Sequence, residues 1–126
     1  MNDIVVYSED GQCIESVNRN FTGRFVVDKQ VKVIGSGAFA GCSMINEIVL
    51  PEQLQTIEDG AFYGCCSLES VVIENEDIEI GYDVFGECIS LKEIIIGKER
   101  IDSYLFEVNY SQMIQFKEIG IECFDI

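Results

Sequence analysis

A chain of 126 residues that is 48% apolar and 25% charged, with one proline, is long enough for a single buried core and contains no disordered linker. Its 23 acidic against 8 basic residues give a net charge of -15, which disfavours direct contact with nucleic acid or anionic membranes, and the absence of histidine removes His-dependent triads, dyads and metal sites. No apolar run approaches the roughly 20 residues needed to cross a bilayer, and "MNDIVVYSEDG" lacks the basic and long apolar regions of a signal peptide. With Met1 as the native start the expected location is cytoplasmic; as part of a longer protein, the chain is expected to be secreted or on the cell surface.

The first predicted element is a β-hairpin. "IVVYSEDGQCIESV" at 4–17 has two β-rich runs around Glu9-Asp10-Gly11, a turn sequence that brings them antiparallel. "TGRFVVD" at 22–28 is the next strand. From there the chain repeats itself: "AFAGCSMINEIVL" at 38–50 returns as "AFYGCCSLESVVI" at 61–73 and "VFGECISLKEIII" at 84–96, a step of 23 residues. The aligned columns are chemically uniform: Ile34, Ile57, Ile80; Phe39, Phe62, Phe85; Ile45, Leu68, Leu91; Ile48, Val71, Ile94. Uniform columns mark a solenoid, in which each coil buries its apolar residues against the coils before and after it.

Within each repeat, "SLESVVIE" alternates as a strand does, so one strand per coil builds a parallel sheet along one side. The remaining half, such as "TIEDGAFYGC" at 56–65, is too short between its glycines for a helix and is expected to form turns, a short 3₁₀ segment or an extended piece. Downstream, "IDSYLF" at 101–106 matches "IGYDVF" at 80–85, and "FKEIGI" at 116–121 matches "LKEIII" at 91–96, which implies one further, irregular coil. The expected architecture is a single domain over 1–126. It has a hairpin cap at 1–21, regular coils over 22–97 and an irregular C-terminal coil and cap at 98–126, about five coils in roughly 20–25 Å.

The string "IGSGAFAGCSMINEIVLPEQLQTIEDGAFYGCCSLESVVI" resembles the BspA-type, or Treponema pallidum-type, leucine-rich repeat family, over residues 31–97 most closely. That resemblance implies a right-handed leucine-rich-repeat solenoid with its parallel sheet on the concave side and a protein-binding role on a bacterial or protist surface. It names no partner.

Motifs for chemistry are missing. Neither a phosphate-binding Gly-x-x-x-x-Gly-Lys nor a Gly-x-Gly-x-x-Gly pattern occurs, adjacent Cys65-Cys66 is a poor chelating pair, and the acidic "ENEDIE" at 74–79 does not follow calcium-loop spacing. The chain is read as a non-enzyme without cofactor or metal. Cys42, Cys65 and Cys88 share one column and are read as buried free thiols; Cys13, Cys66 and Cys123 stay undecided.

Residues between the inward columns of the strands must point outward. They form an apolar line, Val26, Val49, Val72 and Ile95, ending at Gly120. It is flanked by Glu47, Ser70 and Glu93 on one side and by Asp28, Pro51, Glu74 and Gly97 on the other. An apolar stripe with an acidic rim suits a protein or peptide partner, although β-branched residues also favour strands whatever they face. Two other readings compete. Residues 31–97 carry 12 acids and 2 bases, so a rigid acidic rod could imitate nucleic acid and inhibit a basic nucleic-acid-binding enzyme inside the cell. By family analogy, the chain is instead a fragment of a cell-surface adhesin. Either way it is expected to be a monomer or a homodimer.

Overall fold

Short strands separated by glycine-bearing turns stack because every coil offers the same apolar columns to the next. The computed structural model describes residues 4–75, 77–96, 99–102, 107–108 and 124–125, with side chains through Ile95. In chain order the strands are β1 (Val5–Tyr7), β2 (Cys13–Val17), β3 (Gly23–Val26), β4 (Val33–Ile34), β5 (Ile45–Val49) and β6 (Thr56–Ile57). They continue as β7 (Ser70–Ile73), β8 (Glu79–Ile80), β9 (Glu93–Ile96), β10 (Glu99–Asp102), β11 (Glu107–Val108) and β12 (Phe124–Asp125). No helix occurs among the described residues.

The first sheet has the order β10-β9-β7-β5-β3 and the second β1-β2-β4-β6-β8, so each coil supplies one strand to each. Pairing within the four coils is parallel and in step with the repeat: Phe25, Ile48, Val71 and Ile94 align across the first sheet, and Ile14, Ile34, Ile57 and Ile80 across the second. The second sheet adds to the single sheet expected from the sequence. Its inner strands are two residues long, too short to show alternation, and they exist because the Ile column holds the backbones side by side. Turns follow at 36–41, 59–64 and 82–87. They too are tied from coil to coil, with the Phe39 N–H donating to Ala61 O at 2.7 Å and the Phe62 N–H to Val84 O at 3.0 Å.

The N-terminal hairpin forms at the expected residues. Asp10 organises its turn: its carboxylate accepts hydrogen bonds from the Gln12 N–H (3.0 Å) and the Ser8 hydroxyl (2.7 Å), which together hold its pKa below the usual carboxylate value. β1 runs antiparallel to β2, and β2 joins β4, so the hairpin closes the second sheet only. The Tyr7 hydroxyl donates to Asp28 Oδ2 at 3.1 Å and ties the hairpin to the turn after β3.

At the other end the structure corrects the expected column. Ile101 does not lie beside Ile80; β10 turns back antiparallel on β9 and places Ile101 opposite Ile94. The match of "IDSYLF" to the preceding repeat carried the phenylalanine and isoleucine but not the repeat length, and a hairpin back along β9 satisfies the sheet edge as well as a further coil would. The coil expected at 116–121, with Gly120, lies outside the described residues, as do Gly97 and Cys123.

The core is the set of columns. Phe39 and Phe62 are fully buried and Phe85 nearly so. With Phe21 and Phe25 they make one line of rings, with centroids 4.9, 5.0, 5.0 and 5.6 Å apart from Phe21 to Phe85. Such ring pairs add about 0.5–1.5 kcal/mol each beyond the area they bury. Toward the last coil the columns open: Ile80, Cys88 and Leu91 are only half-buried, where no strand follows β8 among the described residues.

The thiol column is a second ladder. Cys42, Cys65 and Cys88 each donate from Sγ to a carbonyl of the preceding coil: to Val17 O at 3.8 Å, Phe39 O at 3.2 Å and Phe62 O at 3.1 Å. Together with Cys13 and Cys66 they are free thiols. Burial raises the pKa of Cys42; hydrogen bonding to the Cys88 sulfur, and then burial, push Cys65 up. Both therefore stay neutral thiols in the fold. Iodoacetamide followed by mass spectrometry should leave Cys42 and Cys65 unmodified in native protein at mildly alkaline pH and modify them in urea. Because their folded pKa values are raised, the stability they contribute is complete below the unfolded thiol value of about 8.5 and declines as pH rises beyond it. Rapid native labelling of Cys65 would contradict the ladder.

Turn geometry also differs between coils. Gly37 and Gly60 adopt left-handed φ of 64° and 62°, and Gly41 and Gly64 of 75° and 76°. The next repeat puts Asp83 (55°) and Glu87 (57°) in the same two places. Side chains there clash with the backbone in a way that glycine avoids.

Candidate partner-binding face

Alternation along β3, β5, β7 and β9 turns Phe25, Ile48, Val71 and Ile94 into the core and their neighbours outward. The register then aligns Val26, Val49, Val72 and Ile95 in one row across the outer face of the first sheet. Val26 is 57% exposed, while Val49, Val72 and Ile95 are half-buried by one another and by their flanks.

One flank is the row Arg24, Glu47, Ser70, Glu93. It is laced together: Arg24 Nε meets Glu47 Oε1 at 3.1 Å, and the Ser70 hydroxyl donates to Glu93 Oε1 at 3.2 Å. The acidic rim read from the sequence is thus partly neutralised on this side by Arg24. That residue escaped sequence analysis because the repeat has no basic column; the signal was its place one repeat before Glu47.

On the other flank, Asp28 and Glu74 are exposed and Pro51 is half-buried. Here the face deepens into a depression of about 320 Å³ lined by Val26, Val49, Pro51, Glu74, Lys29 and Gln53. It is the place where the apolar row, an exposed lysine and a carboxylate converge. The arrangement can bury an apolar side chain and hold a polar group at its margin. Among the described residues no group of three or more cysteine, aspartate or glutamate side chains could hold a metal ion, and no helix is long and apolar enough to cross a membrane.

A stack of short parallel strands repeating every 23 residues, with a polar-rimmed apolar row on its sheet face, defines a leucine-rich-repeat solenoid. The BspA type leucine rich repeat region model matches residues 18–125 in 6 copies, and the chain belongs to that family. A leucine-rich repeat protein of Eubacterium ventriosum has a similar crystal structure, with a TM-score of 0.69 and 26% identity, covering 75% of this chain and 26% of its own. The T. pallidum leucine rich repeat protein gives a TM-score of 0.62 at 24% identity, covering 73% of this chain and 46% of its own. The chain therefore spans about a quarter to a half of the length of these proteins. No curated protein sequence matches it.

Proposed function

We propose that the chain is a non-catalytic protein-binding module that takes a protein or peptide partner on the outer face of the first sheet, centred on Val49, Val72 and Ile95. The observation that carries this reading is the in-register apolar row beside polar groups already bonded to one another. A partner covering it gains apolar burial without stranding Arg24 or Ser70, and that combination favours association.

Imitation of nucleic acid is supported less well, because several carboxylates are engaged within the stack. Glu47 pairs with Arg24 and Glu69 with Lys92, Glu58 accepts from the Ser36 N–H at 3.1 Å, and Asp59 accepts from the Tyr82 N–H at 2.8 Å.

Affinity capture from the native host, with wild type and Val72→Arg side by side, tests the proposal. The variant should keep its melting temperature and far-ultraviolet circular dichroism yet hold the captured protein about tenfold or more weakly, with little dependence on salt. Unchanged capture by a folded variant removes the face from consideration. Capture that collapses in high salt for both chains favours the acidic reading instead.

A further inference from the structure

The cysteine that follows each turn places thiols on neighbouring rungs of the stack. Phe62 and Phe85, three residues ahead of Cys65 and Cys88, have ring centroids 5.6 Å apart, and between rings and thiols the Gly64 N–H donates to Gly86 O at 2.9 Å. Cys65 and Cys88 then share one acceptor. Phe62 O takes the Cys65 N–H at 3.1 Å and the Cys88 thiol at 3.1 Å, so both residues are fixed around a single oxygen. Backbones one rung apart are separated by about 4.8 Å, inside the range of about 4.4–6.8 Å between Cα atoms that a disulfide spans.

The two sulfurs differ in access and in acidity. Cys65 is fully buried, whereas Cys88 is half-buried between the exposed residues Glu87 and Ile89. Hydrogen bonding to Cys65 holds the Cys88 thiol below its usual pKa, against the opposing effect of burial, and the same bond pushes Cys65 up. Roles are thereby divided: the accessible, more acidic sulfur can meet an oxidant, and a neutral thiol is stored beside it. Cys42 lies one rung the other way from Cys65, but that pair has no accessible member.

We propose that Cys88 is a peroxide-reactive thiol that closes a disulfide on Cys65. The Cys88 thiolate attacks one oxygen of a hydroperoxide and the O–O bond breaks; Cys88 becomes a sulfenic acid, and the other oxygen leaves as alkoxide or hydroxide and takes up a proton. The Cys65 sulfur then attacks the Cys88 sulfur. Its proton departs with the sulfenic hydroxyl as water while the S–S bond forms, so two thiols lose two electrons and one peroxide bond gains them. The bridge pins the last regular coil to the one before it, at the end where Ile80 and Leu91 are only half-buried.

The experiment exposes the reduced full chain to hydrogen peroxide, blocks remaining thiols with iodoacetamide in urea, cuts after glutamate and maps the fragments by mass spectrometry. Fragments 59–69 and 88–93 carry Cys65 and Cys88, and Cys66→Ser beside wild type shows which of the adjacent thiols in the first is used. In both chains the bridge between these fragments should form about tenfold faster than any other pairing, and urea should remove that preference. Cys65→Ala should leave a sulfenic acid on Cys88 that dimedone traps; if that variant fails to fold, the mapping of the other two chains decides alone. Thiols that stay reduced while glutathione in the same solution is oxidised overturn the proposal. So does a first bridge from Cys88 to Cys13, Cys42 or Cys123, or a bridge that Cys66→Ser abolishes.

Discussion

Phe62→Ala should lower the stability of the protein by about 3–5 kcal/mol, the largest effect of any single truncation in the stack. Phe62 is fully buried and lies between two rings, 5.0 Å from Phe39 and 5.6 Å from Phe85. Its neighbours sit in coils tied by hydrogen bonds on both sheets and through the turns, so they cannot collapse into the space left behind. Domains of this size have about 5–15 kcal/mol in total, and thermal unfolding should shift downward by roughly 10 °C or more. Phe21→Ala, at the half-buried end of the same line, should cost about 1–2 kcal/mol. Equal losses at the two positions would show that the ring column is not the core of the stack.

Asp83→Gly with Glu87→Gly should act in the opposite direction and stabilise the chain by about 1–2 kcal/mol. Both residues occupy left-handed backbone at positions where the two preceding coils have glycine, and each non-glycine residue there costs of the order of 1 kcal/mol, aspartate less than glutamate. The gain is reduced by the greater freedom of glycine in the unfolded chain. The reverse substitution, Gly60→Ala, should lose about 1 kcal/mol, because its φ of 62° is strained for any side chain although the nearest neighbour of an added Cβ, Tyr63 Cβ, is 3.8 Å away. Differential scanning calorimetry of the three proteins decides the matter; a double variant less stable than wild type would mean that the Asp83 or Glu87 side chain makes a compensating contact.

The columns of the core were legible because repetition shows them three times over. Phe39, Phe62 and Phe85 could be placed inside, and Val49 and Val72 outside, from the 23-residue step and strand alternation alone. Elements that occur once, or that are very short, were not legible in the same way. The second sheet rests on pairs such as Val33–Ile34 and Thr56–Ile57, in which two residues show no period. Arg24 belongs to no column, so its ion pair with Glu47 needed the register to reveal it. The hairpin's residues were readable from its turn, but its choice of sheet was not, because β2 and β3 both carry apolar alternation. The antiparallel return of β10 broke the expectation for Ile101 because local resemblance does not encode direction.

Uniform columns also make neighbouring coils chemically interchangeable. During folding, a coil could dock one repeat out of place and still bury phenylalanine on phenylalanine and isoleucine on isoleucine. The correct order must then come from contacts that exist at a single level: Tyr7 to Asp28, Arg24 to Glu47, and the Asn75 side-chain amide donating to Leu54 O at 2.9 Å. These few polar groups add little to the depth of the native well, but they number the coils.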